Sequence, residues 1–267
     1  MTSAIVRGLC SAALSPTPKF VLAPRNAEKA AGLAKEFPDN VHIAANNQQV
    51  VDSSDCVIIG VLTKQAEEVC KSLRFREGQQ VLSVMAGIYV DRISSLVAPA
   101  RDCVIAIPLP AVAKQQGATI TMPDKPFAKA IFSALGSYIP VEEETQFKRL
   151  MCITTVMGDF YKRQLTAQEW LVSNGLNDAL AASWVGAIYK VFASDSADAV
   201  PDTFAKLVHE QTPGGLNEMI WKNLDEDGAY QALSYSLDSA HHRLSTGRAD
   251  PDLAPAKKRA KHGESRL

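Results

Sequence analysis

Five short apolar runs in the first 110 residues leave few folds open to this chain. They are FVLA at 20–23, VHIA at 41–44, DCVIIGVL at 55–62, QQVLSVMAG at 79–87 and DCVIAIPL at 102–109. Each is nearly continuous in Val, Ile and Leu rather than alternating with polar residues, as expected of strands covered on both faces. Between them lie helical patterns at 26–37, 64–73 and 90–97. Strand, helix, strand repeated in this way predicts a Rossmann-type α/β domain, an open parallel sheet with helices on both faces. From about residue 143 the apolar period becomes helical: Phe147, Leu150, Met151, Thr154, Gly158 and Tyr161, then Leu180, Trp184, Ile188, Val191 and Phe192, then Leu233, Leu237, Ala240 and Leu244. The second half is expected to be all α, and these stripes read first as core. They would equally suit a helical dimer interface, since sequence does not separate inner from outer faces. The expected division is 1–142, an NADP-binding Rossmann-like domain; 143–247, a helical dimerisation and substrate domain; and 248–267, a disordered basic tail.

Composition narrows the function classes. A net charge of −1 over 267 residues gives no support for a nucleic-acid or acidic-membrane partner. No apolar run reaches the roughly 18 residues of a membrane span, and the start lacks the Arg content and sustained hydrophobicity of a targeting peptide. A cytoplasmic protein is the first expectation. The last three residues, Ser265-Arg266-Leu267, approach the peroxisomal ending S-K-L, which would matter in a eukaryote. KKRAK at 257–261 reads as a solvated tail before it reads as a nuclear signal. The five Cys show no CxxC spacing, and Cys56 and Cys103 fall inside strand runs, so reduced core thiols are expected. His241-His242 and the scattered acids lack metal-ligand spacing, and no metal is expected. His209 reads as a surface or packing residue, and the three Glu at 142–144 as the charged first turn of a helix.

A sheet of this kind binds ligands at the carboxyl ends of its strands. The FVLA strand runs into Pro24-Arg25-Asn26 with no acid to hold an NAD ribose, while Arg25 suits a 2′-phosphate. NADPH is therefore favoured over NADH. A dinucleotide domain should also open with a strand and a G-x-G-x-x-G turn. This chain opens on Met1–Leu9, which reads as the helix itself, with Thr2 as N-cap and Ile5, Val6 and Leu9 as its apolar face. The first strand and Gly-rich loop are thus missing from the expected sheet, leaving two inner strand edges without a ladder partner. The expectation is a chain that begins further upstream or a damaged product.

SAIVRGL, PRNAEKAAGLAKEFP, LSVMAGI with its turn at Gly87, IPLPA and TPGG follow one another in the order seen in pyrroline-5-carboxylate reductases, which the chain resembles from Ser3 to about Arg243. The resemblance implies an N-terminal Rossmann domain for NAD(P)H, a C-terminal helical domain that interlocks with a second subunit, and a cyclic imino acid reduced to proline between them. It implies cofactor contacts at Arg25, Asn26, Val61, Leu62, Ala86 and Gly87, and substrate contacts at Thr212, Gly214, Gly215, Leu216 and Asn217. The family's V-K-P-Q is Val61-Leu62-Thr63-Lys64 here, its M-P-N-T-P is Ile107-Pro108-Leu109-Pro110, its S-G-S-G-P-A-Y resembles Thr155–Tyr161, and its S-P-G-G-T-T is Thr212–Asn217. The family's last Thr, taken to hold or protonate the imine, is matched by Asn217, which with Thr212 forms the expected catalytic pair.

The Pro213-Gly214-Gly215 break reads as a stop and restart between two helices. Thr212 would cap the second, Pro213 would occupy its first position, and Gly228 would close it. A helix N-terminus exposed there would suit a substrate carboxylate. Two other readings stand beside imine reduction to proline. One is the same fold acting on a different imine or a hydroxy acid; the other is a catalytically silent dimerising protein.

Overall fold

The apolar runs form strands because Val and Ile favour extended backbone and both of their faces find helices to cover them. In the computed structural model, which describes residues 1–248, the chain divides into two units, Met1–Met151 and a second beginning at Cys152. The first unit runs α1 (Thr2–Ser11), β1 (Phe20–Leu22), α2 (Ala27–Glu36), β2 (Val41–Ile43), α3 (Asn47–Asp52), β3 (Cys56–Ile59), α4 (Ala66–Lys71), β4 (Gln80–Ser83), α5 (Val90–Leu96), β5 (Asp102–Pro108), β6 (Gly117–Met122), α6 (Pro126–Ser133), β7 (Gly136–Pro140) and α7 (Glu144–Thr154), which reaches into the second. Single 3-10 turns precede α4 (Thr63–Gln65) and follow β5 (Pro110–Lys114).

The strands make two sheets. β1 pairs with β2 in parallel, and β3-β4-β5-β6-β7 form a five-stranded sheet in chain order. The all-parallel expectation needs one correction: β5 and β6 are antiparallel, Ile105 facing Met122 and Pro108 facing Thr119. The split between the sheets is the gap expected from the sequence. Phe20 and Leu22 hydrogen-bond toward β2 (Phe20 N–H to Asn40 O, 2.7 Å; Ala44 N–H to Leu22 O, 2.9 Å), and Asp55 and Ile59 accept from β4. Strand alternation then turns the backbone groups of Val21, Cys56 and Ile58 toward edges that no described strand pairs.

Helix α1 bridges the two sheets. Its buried Ile5 and Leu9 pack with Leu82, Val104, Ala106, Val112, Ala128, Phe132 and Leu135, and Phe20 of β1 and Cys56 and Ile58 of β3 lean on the same cluster. Val6, on the neighbouring stripe, packs with Leu33 and Val41. Burying each such side chain stabilises by about 1.5–3 kcal/mol. The Arg7–Glu36 pair between α1 and α2 (2.6 Å) is exposed and contributes little. Gly8 lets α1 close onto the turn at 110–114, where a Cβ would meet Val112 O at 2.2 Å. Thr2 is not the cap of this helix: Met1 holds that position and no side chain caps it.

The second unit contains α8 (Met157–Ser173), α9 (Asp178–Asp195), α10 (Thr203–His209), α11 (Leu216–Glu226) and α12 (Ala229–Thr246). Asn177 caps α9 by accepting from the Leu180 N–H. Here the core reading of the apolar stripes needs correction. Phe147 and Met151 of α7 are buried, but from Cys152 onward the buried apolar residues among those described are Cys152, Ala181 and Val185. Trp184 (58% exposed), Phe192 (59%), Phe204 (62%) and Leu180 (55%) face out of the unit. Five helices with so little interior of their own leave a large apolar surface. No helix of the described residues is long and apolar enough to cross a membrane. The KKRAK run, the Ser265-Arg266-Leu267 ending and the rest of 249–267 lie outside the described residues.

Candidate functional site

The carboxyl ends of β1, β3 and β4 place the expected cofactor residues on one edge of the first unit. At the end of β1 the chain turns through Pro24, and Arg25 stands exposed with its guanidinium donating to Gln65 Oε1 (3.1 Å). No carboxylate among the described residues pairs with Arg25, so its charge is available to an anion. Asn26 is committed to the fold: its side chain caps α2 by accepting from the Lys29 N–H (3.0 Å), which leaves its amide group for other partners. At the end of β3, Val61 is half-buried and Leu62 is 60% exposed, and the Gln65 N–H donates to Leu62 O (2.8 Å). The Thr63 hydroxyl donates to Ala86 O beyond β4 (2.7 Å), and Ala86 and Gly87 are exposed, Gly87 with φ +81°. The edge is therefore stitched together: Arg25 to Gln65, Gln65 to the Leu62 turn, Thr63 to Ala86. Thr63 stands inside the Val61–Lys64 stretch but was given no role from the sequence, and Gln65 was not read from it at all.

The start of α1 belongs to the same edge. A Cβ on Gly60, just past β3, would lie 2.5 Å from Thr2 Cγ2. Among the described residues no side chain caps the first amides of helix α1, and no acid in its first turn offsets the positive end of its dipole. These residues fit a phosphorylated dinucleotide in part. Arg25 suits a 2′-phosphate, the start of α1 suits a pyrophosphate, and the Leu62 and Ala86 ends suit the nicotinamide half. A glycine-rich loop leading into α1 is not found among the described residues.

In the second unit, the residues assigned to substrate form one turn and the first two positions of α11. The Gly215 N–H donates to Thr212 O (2.8 Å) across Pro213 and Gly214, and Gly214 has φ +74°. Pro at the second position and a positive-φ Gly at the third make a type II turn. The helix that follows begins at Leu216 with Gly215 as its N-cap. The capping expectation is thus corrected: Thr212 opens the turn, and Pro213 lies outside the helix because the turn needs Gly214 before the helical backbone can start. Gly228, φ +74°, does close α11. Two further donors around this turn have partners in the chain. The Gly214 N–H donates to Glu218 Oε2 (2.7 Å), and Asn217 Nδ2 donates to Gln211 Oε1 (2.8 Å). Glu218 also binds Lys222 Nζ through Oε1 (2.7 Å). The Lys222 ammonium first, and then the Gly214 amide, hold the Glu218 carboxyl below its ordinary range. Glu218 is a residue that sequence reading missed. Its position, third in the helix, is where a capping-box acid reaches back to the preceding amides.

Among the described residues no group of three or more His, Cys, Asp or Glu is placed to hold a metal ion. No disulfide joins any two of the five Cys. Burial chiefly, with the Asp102 and Asp55 charges, pushes Cys56 up to about 12, which keeps it protonated and inert.

Residues 1–87 match the model of a family described as NADP oxidoreductase, coenzyme F420-dependent. No curated protein matches the chain in sequence. Among solved structures, a pyrroline-5-carboxylate reductase from Coxiella burnetii superposes with a TM-score of 0.79 at 21% identity, over 95% of this chain and 94% of that one. A Plasmodium falciparum pyrroline carboxylate reductase with NADP bound gives 0.72 at 14% identity, over 91% and 92%. A reductive aminase from Aspergillus terreus in complex with NADPH and ethyl levulinate gives 0.57 at 14%, over 95% and 93%. The resemblance read from the sequence is thus matched by the fold: a parallel-dominated Rossmann-like sheet followed by an all-helical region.

Proposed function

We propose that this protein is an NADPH-dependent imine reductase, reducing a cyclic imine such as 1-pyrroline-5-carboxylate to the corresponding amine. The observation that carries this reading is a fold shared with pyrroline-5-carboxylate reductases over nine-tenths of both chains. The carboxyl-edge residues Arg25, Asn26, Val61, Leu62, Ala86 and Gly87 support it. NADPH, when bound, supplies a hydride to the C=N carbon, and one proton is needed on nitrogen. Arg25 would bind the 2′-phosphate and set the preference for NADPH over NADH, since a guanidinium fork matches a phosphate and repels nothing on it. The Thr63–Ala86 hydrogen bond would hold the β3 and β4 ends level, so that Leu62 and Gly87 present a fixed wall to the nicotinamide. Thr212 and Asn217 would orient the imine nitrogen. A protonated imine needs no strong general acid, so positioning would supply most of the rate.

The apolar faces of α8 and α9 support a homodimer formed through the helical unit, since Leu165, Trp184 and Phe192 are all exposed in a single chain. The test is NADPH oxidation followed at 340 nm with pyrroline-5-carboxylate and with its carboxylate-free analogue 1-pyrroline. Consumption dependent on either imine supports the reading, and none with either contradicts it.

A further inference from the structure

Taking Arg25 as the residue that meets the 2′-phosphate in that reading, we infer that Gln65 is the positioning residue behind the preference for NADPH over NADH. It holds the Arg25 guanidinium at the cofactor edge and leaves its charge intact. Arg25 follows β1 and Gln65 follows β3, 40 residues apart in the chain, and Arg25 Nη2 donates to Gln65 Oε1 at 3.1 Å. No described strand pairs with both β1 and β3, so this bond joins two strand ends that the sheets leave separate. Chemistry fixes its direction: a guanidinium only donates, so the amide oxygen must be the atom that faces Arg25. The acceptor is neutral, whereas a carboxylate in its place would offset the positive charge and repel a phosphate. Glu67, in the first turn of α4, does not play that part, since Lys71 and Arg92 hold it at 2.6 Å each.

The local fold makes no other use of this side chain. Gln65 is the N-cap residue of α4, where a side-chain oxygen often accepts from the first amides, yet it caps none of them. Among the described residues its side chain has no hydrogen-bond partner besides Arg25. Its position is set by backbone instead: the Gln65 N–H donates to Leu62 O (2.8 Å), and the Thr63 hydroxyl pins the same turn to Ala86 O (2.7 Å). A half-buried residue on a pinned turn is thus a fixed post for an exposed, long side chain. An Arg without such a post must be ordered by the ligand at the moment of binding, and that cost is subtracted from affinity. An anchor removes the cost only for a ligand that touches the guanidinium. NADPH and NADH differ by the 2′-phosphate alone, so the anchor acts on discrimination and not on general affinity.

The experiment is calorimetric titration of NADPH and of NADH into the wild-type chain, Gln65→Ala, Gln65→Glu, Arg25→Ala and the double variant Arg25→Ala/Gln65→Ala. No imine is present, so binding is read apart from reduction. Gln65→Ala should weaken NADPH by about three- to tenfold, the scale of ordering one long side chain, and leave NADH unchanged. Gln65→Glu keeps the shape and the acceptor oxygen, so it would rescue a purely structural role; here it should weaken NADPH more than Gln65→Ala does and again spare NADH. With Arg25 already replaced, Gln65→Ala should have no further effect, because the two residues act as one unit. Unchanged NADPH binding in Gln65→Ala, equal losses for both nucleotides, rescue by Gln65→Glu, or a full loss that persists without Arg25 overturns the inference and leaves the proposed reaction standing. The predicted binding pattern without reduction of any imine supports the inference while the proposed reaction fails. A wild type that binds no NADPH overturns both.

Discussion

Replacing Gly8 with Ala should destabilise the first unit, although the position lies inside a helix. Propensity alone predicts the opposite, since Ala is better than Gly in a helix interior by about 1 kcal/mol. The structure decides the sign. A Cβ at Gly8 would lie 2.2 Å from Val112 O and 2.6 Å from Leu135 Cδ2. An ordinary contact is well over 3 Å, so α1 and the turn at 110–114 must separate by about 1 Å, and the carbonyl is backbone that cannot swing aside. Separation would loosen Ile5 and Leu9 from the core and stretch the Gln115 Nε2 to Gly8 O bond of 3.0 Å. Overpacking costs about 1–3 kcal/mol, and weakening that hydrogen bond about 1 kcal/mol more. These together exceed the propensity gain, for a net loss of about 1–3 kcal/mol. With a urea slope of about 1–3 kcal/mol per molar, the midpoint should fall by roughly 1 M. The assay must be circular dichroism or amide NMR of the first unit, because Trp170, Trp184 and Trp221 all lie in the second. Gly32→Ala on α2 is the control: nothing lies within 4 Å of its Cβ, so it should gain stability. A Gly8→Ala midpoint equal to or above wild type would refute the reasoning.

Three further outcomes are expected. In native-state hydrogen exchange, the amides of Cys56 and Ile58 should exchange faster than those of Val57 and Ile59, because only the latter face β4; equal protection would mean the β3 edge is covered. Arg25→Ala should weaken NADPH binding by about tenfold or more, the scale of one charged hydrogen bond, and leave NADH binding unchanged, as measured by fluorescence titration. Because burial lifts Cys56 from an ordinary 9.0 to about 12, the folded state keeps a proton that the unfolded chain releases near 9. Its contribution is fully present below that pH and is lost as pH rises toward 12. The first unit of the wild type should therefore lose more stability between pH 9 and 11 than a Cys56→Ala variant does.

The parts of the fold legible in sequence were those where one residue's neighbours decide its state. The Val/Ile runs at 20–23, 41–44 and 102–109 gave β1, β2 and β5 nearly to the residue. The missing ladder partner followed from the opening helix alone, and the split sheet matches it. Strands β6 and β7 were not anticipated. GATITM mixes small and Thr residues without a clear period, and GSYIP is a short edge strand whose Gly136 sits at φ +133°. The antiparallel step from β5 to β6 is long-range pairing that no local pattern encodes. In the helical half the periodicity was correct but its meaning was not: an apolar stripe looks the same whether it faces its own core or another chain. At the site, Arg25 could be read from its place after a strand, whereas Gln65 depends on tertiary contact. Glu218 was readable by the capping-box spacing, although its bond falls on the Gly214 amide, one residue before the N-cap.

The central claim is hydride transfer from NADPH to an imine carbon, and isotope transfer tests it most directly. The protein is incubated with NADPH carrying deuterium at both C4 positions of the nicotinamide and with 1-pyrroline or pyrroline-5-carboxylate, and the amine product is read by mass spectrometry and NMR. The account predicts one deuterium per product molecule, on the former imine carbon, with one NADP+ formed for each. Product without deuterium, or NADPH that remains unoxidised in the presence of both imines, would contradict it.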